Sequence, residues 1–306
     1  GGWKGEPMRA RSRRTRRSAI RIAVATAALA AANTAVAVEG PVVLGGDNFP
    51  TFGMLNTATD ELEGGWLAMQ RELAYVSPKV GRVNDNSVAV VGARASVAIT
   101  EDAGAAIGRA AARLGLPVTY HDGAEAISTF FADLRSGAAR PRVIWIPGNS
   151  AFNALDAAEL ATLSAGGNDA TLATFVDGGG GLIAHGDESV YAGWLARIAP
   201  GLTPTTGAGL GLALTPAGAT VLTGVTPASL ASSVWRSSFA GNPNELQVLA
   251  TATNQFEADG VTTRKVLLAG GREWTTPAPA DLRVAVASPS VVDSRDVIRY
   301  ELTVTN

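Results

Sequence analysis

The chain of 306 residues has no cysteine and only two histidines, His121 and His185. The first absence excludes disulfides, thiolate metal sites and cysteine nucleophiles together. The second leaves imidazole chemistry two places to occur. Aromatics make up 6% and charged residues 17%, too little charge for a solvated, disordered chain. Phosphate-loop chemistry has no signature either. Gly178 to Gly181 are four consecutive glycines, but no Gly-Lys-Ser/Thr follows them, and no dinucleotide fingerprint follows the first strand. The glycine run lies between a helical pattern and a strand, the reverse of a phosphate cradle, and reads as a helix stop and tight turn. With 46% hydrophobic residues and this length, the chain can bury a full core without cross-links.

What is present begins with an N-terminal basic run. From Met8 the chain reads "MRARSRRTRRSAIRIAVATAALAAANTAVA". Seven arginines precede an apolar stretch, Ala23 to Ala32, and Ala35-Val36-Ala37 has the small-x-small form of a cleavage site. These parts, in this order, predict a secretory signal peptide within residues 1–37, with residues 1–7 upstream of it. The apolar stretch is short for a membrane span. Cleavage near Ala37 would leave 17 Lys and Arg against 26 Asp and Glu, a net charge of −9. The expectation is an exported, secreted or cell-surface protein. Its acidic balance argues against nucleic acid as a partner, and it has no second long apolar run for a membrane span.

Beyond residue 38, short apolar runs alternate with helical patterns. "PVVLGG", "NSVAVVGA", "LPVTYHD", "PRVIWIPG" and "GLIAHG" are strands bounded by Gly, Pro, Asn or Asp. Residues 60–76 carry Leu62, Trp66, Met69, Leu73 and Val76 at helical spacing, which predicts one amphipathic helix. Helices are also expected over 101–115, 124–137, two segments between 155 and 180, and 189–201. Continuous apolar strands separated by helices imply a parallel sheet covered on both faces. The predicted fold is α/β, a doubly wound, flavodoxin-like sheet over 38–272. Within it "GLALT", "ATVLTG", "LQVLATA" and "RKVLLAGG" read as further strands. A Pro/Ala linker over 273–280 then leads to 281–306, where Val284 and Val286, then Ile298, Tyr300, Leu302 and Val304, alternate at period two. Two strands do not bury a core alone, so this segment reads as the truncated start of a β-sandwich with more chain downstream.

Two resemblances add to this reading. Ala280-Asp281-Leu282, Pro289 and Tyr300-Glu301-Leu302-Thr303-Val304-Thr305-Asn306 resemble the opening of the bacterial surface repeat called domain of unknown function eleven. That resemblance implies an immunoglobulin-like sandwich in tandem on exported proteins. Phe175-Val176, Gly179-Gly180-Gly181 and His185 resemble the pattern of the trehalose-utilisation-like group within the class I glutamine amidotransferase-like superfold. That superfold's glutaminases use a cysteine, and this chain has none, so glutaminase chemistry is excluded.

In an open parallel sheet, ligands bind at the carboxyl ends of the strands. Four such ends carry polar residues here: Asp47-Asn48, His121-Asp122, Asn149-Ser150 and His185 with Asp187 and Glu188. His185, Asp187 and Glu188 are the catalytic candidates. No cofactor is expected; should a divalent metal bind, Asp47, His185 and Asp187 are its candidate ligands. Asp187 and Glu188 equally suit the start of a helix near Ser189, and Asp122 suits an N-cap. Asp47, Asn48, His121, Asn149, Ser150 and Trp235 are the candidate ligand-binding residues, with Trp235 placed to stack on a sugar. Ser150 lacks the Gly-x-Ser-x-Gly elbow of a hydrolase. Two functions follow. One is a non-catalytic module with a cell-wall, carbohydrate or protein ligand. The other is a secreted hydrolase or carbohydrate-processing enzyme using His185 and nearby carboxylates, with or without a metal. Convergence of Asp47, His185 and Asp187 or Glu188 in an open pocket would favour the enzyme. Carboxylates turned back onto helix ends would favour the module.

Overall fold

The computed structural model describes residues 1, 40–81, 85–149, 151–230, 234–242, 246–271, 283–287 and 301–305. The expected signal peptide, its cleavage site, the linker and Ser150 lie outside these residues.

A ten-stranded sheet dominates, in the order β5-β4-β6-β7-β1-β12-β10-β8, with β11 against β12 and β9 against β11. Its first half comprises β1 (Val42–Gly45), β4 (Val88–Val91), β5 (Val118–His121), β6 (Val143–Ile146) and β7 (Gly181–His185). These five are parallel. The second half comprises β8 (Leu202–Leu210), β9 (Leu212–Leu214), β10 (Val234–Gly241), β11 (Gln247–Phe256) and β12 (Thr263–Gly270). These strands pair antiparallel and extend the sheet from β1. Every residue of β1, β4, β6 and β7 is buried, which is why they read as unbroken apolar runs. The α/β, flavodoxin-like reading describes this architecture.

The helices are α1 (Gly65–Val76), α2 (Ala103–Arg113), α3 (Ala124–Ser136), α4 (Ala157–Ser164), α5 (Asn168–Asp177), α6 (Glu188–Tyr191), α7 (Leu195–Ile198), α8 (Pro216–Val221) and α9 (Pro227–Leu230). Side chains alternate across the sheet and build two cores. Val43, Trp145 and Ile183 pack with Trp66, Met69 and Leu73 of α1 and Ile107 of α2. Val42, Leu44, Ile144 and Leu182 pack with Phe131 of α3, Leu172 and Phe175 of α5, and Trp194. Trp66 thus occupies the core position its spacing predicts. Asp102 caps α2, and Asp156 with Glu159 forms a capping box on α4, each worth about 1 kcal/mol. No helix among the described residues is long and apolar enough to cross a membrane.

The structure corrects several local expectations. The amphipathic segment 60–76 is not one helix. Its first residues form β3 (Glu61–Gly64), paired antiparallel with β2 (Gly53–Asn56), and α1 starts only after Gly64 at φ 58°. "ATVLTG" is not a strand. Thr215 accepts the Gly218 N–H and Pro216 takes the first turn, so α8 forms there. The predicted helix 189–201 is split into α6 and α7 by Gly193 at φ 86°. Strands β8 and β10 fall where no strand was expected. In the C-terminal segment, β13 (Arg283–Ala287) and β14 (Glu301–Thr305) pair antiparallel, Val284 opposite Val304.

Candidate functional site

Parallel pairing places the carboxyl ends of β1 and β7 side by side, with Gly45 opposite His185. At these positions both strands turn toward the core face covered by α1. A Cβ on Gly45 would fall on Asp47 Oδ2 and within 2.8 Å of His185 Nδ1. Glycine there makes the room in which Asp47 and His185 meet. Gly46 fixes the turn that follows: its N–H donates to Val266 O at 2.7 Å, and its carbonyl accepts from the Arg236 and Ser237 amides.

His185 has no solvent exposure. Its Nδ1 lies 3.0 Å from Asp47 Oδ1, which also accepts the Phe49 N–H at 3.0 Å. Its Nε2 lies 3.0 Å from Glu72 Oε2 of α1. That contact is off the hydrogen-bonding direction, and neither Glu72 oxygen has an aligned partner among the described residues. The rings of Phe49 and Trp145 flank the imidazole, with centroids at 5.9 and 6.2 Å. Asp47 and Glu72 are as fully buried as the histidine.

The charge states follow from this geometry. Burial alone would lower the His185 pKa, but the Asp47 and Glu72 carboxylates outweigh it and push it up to about 10. Burial pushes Glu72 up to about 7, against the pull of His185 and with the help of the Asp47 charge. One imidazolium thus serves two carboxylates. Asp47, with a backbone donor as well, is its better-aligned partner, and Glu72 is the carboxyl that takes up a proton.

Tyr191 of α6 locks the same strand ends. Its hydroxyl donates toward Gly45 O at 2.6 Å and Ala184 O at 2.9 Å, and it accepts the Gly45 N–H at 3.1 Å. Burial, reinforced by the Asp47 charge, pushes the phenol up, so the hydroxyl stays a donor. Gly45 O also accepts the Gly186 N–H at 2.9 Å, so removing the hydroxyl takes away one bridge between the two strands and leaves that carbonyl paired. Tyr191→Phe is expected to lose about 0.5–1.5 kcal/mol in urea unfolding with an unchanged m-value. A loss under about 0.5 kcal/mol, the level of an ordinary surface change, would remove Tyr191 from this role.

The other sequence candidates are placed as follows. Asp187 is the N-cap of α6, accepting the Ser189 N–H at 2.9 Å and the Asn149 Nδ2 donor at 2.7 Å. Burial opposes its charge, but the Ser189 and Asn149 bonds win and hold the carboxyl below its usual range. Glu188 is exposed and accepts the Thr206 N–H at 3.1 Å. Asn149 therefore belongs to the helix cap. Asn48 is buried, its Oδ1 accepting the Thr51 hydroxyl. His121 is half-buried and stacks on Phe130 at 4.2 Å; burial lowers its pKa, against the charge of Asp133. Asp122 does not cap α3, whose N-cap is Gly123. Trp235 does not face a cleft. It is fully buried, its ring lying against Gly207 and Gly209, where a Cβ could not fit.

Of the predicted set, the structure thus brings Asp47 and His185 together and turns Asp187 and Glu188 away. Glu72 was missed, although it sits on the flank of the Trp66–Met69–Leu73–Val76 stripe, where a carboxylate needs a reason. Among the described residues, no three His, Asp or Glu side chains are arranged to hold a metal ion; the two nitrogens of His185 face different carboxylates rather than a shared point. A cleft that opens to solvent lies elsewhere. It measures about 650 Å³ and is bordered by the β2–β3 hairpin, Leu67 of α1, Thr100-Glu101 and α9. Comparison with known families, curated proteins and solved structures finds no match to this chain.

Proposed function

We propose that this chain is a non-catalytic, ligand-binding module of an exported, cell-surface protein. One observation carries the reading: the polar side chains offered for catalysis at the strand ends are spent on the fold itself. His185 is sealed between two carboxylates and two aromatic rings, Asp187 caps α6, and Glu188 holds a backbone amide. A general base must reach the proton it removes, and the imidazole has no exposed surface from which to do so. The export half of the proposal is supported by the order of basic, apolar and small residues across 8–37.

The test uses the full chain. Thermal unfolding is followed with and without zinc, manganese or calcium, and chromogenic ester and glycoside substrates are assayed alongside. The expected result is no metal-dependent stabilisation and no turnover above buffer. Turnover that falls in Asp187→Asn or Glu188→Gln, or a metal-dependent rise in Tm abolished by either variant, would overturn the module in favour of an enzyme.

A further inference from the structure

We infer that the cleft beside the β2–β3 hairpin, with the apolar loop at its rim, is a docking surface for a cationic peptide segment that carries apolar side chains. This rests on the binding-module reading and gives it a place and a partner chemistry.

Three charged residues line the cleft, Glu61, Glu63 and Glu101, and all are acidic. None has a cationic partner among the described residues. Two arginines share a neighbouring pocket with Glu61, Arg71 bonded to the Thr223 carbonyl and Arg113 paired with Asp60, and neither lines this cleft. A concave surface with carboxylates alone concentrates positive charge. Glu63 is held in place by Asn56 Nδ2 at 2.7 Å, so part of this acidic wall is set before any ligand arrives.

Next to the acidic wall lies an apolar rim. Met54 is 45% exposed, Ile99 47%, Phe152 78% and Val97 89%. These residues adjoin through the backbone. Leu55 N–H donates to Ile99 O, Met54 bridges to Thr100, and Phe152 N–H donates to Glu101 O. The loop presenting them is pinned: Arg109 donates to the Val97 and Ala98 carbonyls, and Asn153 donates to Arg94 O and Asp102 Oδ1. Scattered exposed apolar residues need no explanation, but four on adjoining backbone segments at the edge of a cleft that one of them, Met54, lines point to an interaction site. The acidic wall selects the sign of the ligand's charge. The rim extends along the surface beyond the cleft, which suits an extended chain with alternating cationic and apolar side chains better than a compact amine.

The test is fluorescence anisotropy on the full chain. The probe is a labelled short peptide alternating lysine and phenylalanine, compared with one alternating glutamate and phenylalanine. The lysine peptide is expected to bind, weakening with added salt, and the glutamate peptide is not. Affinity should fall about tenfold in Glu61→Gln/Glu63→Gln/Glu101→Gln, and also in Ile99→Ser/Phe152→Ser. All five positions are at the surface, so the fold should tolerate them, which circular dichroism checks. The remote exposed substitution Asp259→Asn is the control and should bind like the parent. Failure of the lysine peptide to bind overturns the inference, as does equal binding by parent and cleft variants. Equal binding would leave a binding module whose surface lies elsewhere. The module reading fails separately, through turnover or metal dependence in the assays above.

Discussion

Replacing His185 by leucine is expected to lower unfolding stability by about 3–5 kcal/mol, the range seen when one partner is removed from a buried ion pair. Leucine is close in size to imidazole and suits the space between Phe49 and Trp145, so packing loss is the lesser part. The larger part is electrostatic. Asp47 and Glu72 would remain fully buried without the one cation they share. Glu72, already pushed up to about 7, can relieve its share by taking a proton. Among the described residues, Asp47 keeps the Phe49 N–H as its hydrogen-bond donor. The origin of the loss is testable with a second variant. Asp47→Asn/Glu72→Leu/His185→Leu removes the charges together, and apolar replacement of a whole buried ionic group is often neutral or stabilising. The triple variant should therefore recover much of the loss in urea unfolding. A single variant within about 1 kcal/mol of the parent would mean that the cluster is not the polar anchor of the core. If the triple were no more stable than the single, packing rather than charge would be the cause.

How far this cluster was legible depends on which interactions each residue answers to. The strands at 88–91, 143–146 and 181–185 were readable because both faces are buried and the run is apolar throughout. Parallel strands put their carboxyl ends on one edge, so Asp47 and His185 could be expected near each other. Glu72 could not be paired with them from spacing alone: its helix position shows burial, but the partner is fixed by how α1 lies across the sheet. The hairpin was hidden because Leu62 fits the helical spacing of α1 and also the period of two in β3. Only Gly64, with its positive φ, separates the two. "ATVLTG" has strand-like composition, yet the Thr215 cap and Pro216 favour a helix at that point. Trp235 was read as a stacking platform because aromatic rings near a cleft often are. The two small residues that bury it, Gly207 and Gly209, lie on a neighbouring strand that was not foreseen.

Stability is expected to fall steadily as pH rises, by at least about 2 kcal/mol between about pH 5 and about pH 9. Glu72 titrates near 4.5 in the unfolded chain and is pushed up to about 7 in the fold. Between these values the folded state holds a proton that the unfolded state has released, and stability declines. His185 continues the same trend. Its ordinary value is 6.5 and its folded value about 10, so its stabilisation is complete below the former and lost as pH climbs through the latter. The two intervals adjoin, and their slopes have the same sign. Tyr191, the phenol in the Asp47–Glu72 field, titrates above them. Asp169, Asp187 and Asp259, whose pKa values are depressed, contribute stability that is lost only on acidification below their ordinary range. His121, lowered by burial, has the opposite slope in the acidic part of the window. It is half-exposed and stacks on a single ring, so it offsets little. Urea midpoints across the pH series measure the effect. Glu72→Gln should flatten the acidic part of the decline and shorten the alkaline part, because Glu72 is one of the two carboxylates that push His185 up. Stability that stayed level or rose from about pH 5 to about pH 9 would show that the folded chain binds no more protons than the unfolded one. A proton held within the Asp47–His185–Glu72 cluster across this range, on the imidazole or on Glu72, would then be ruled out.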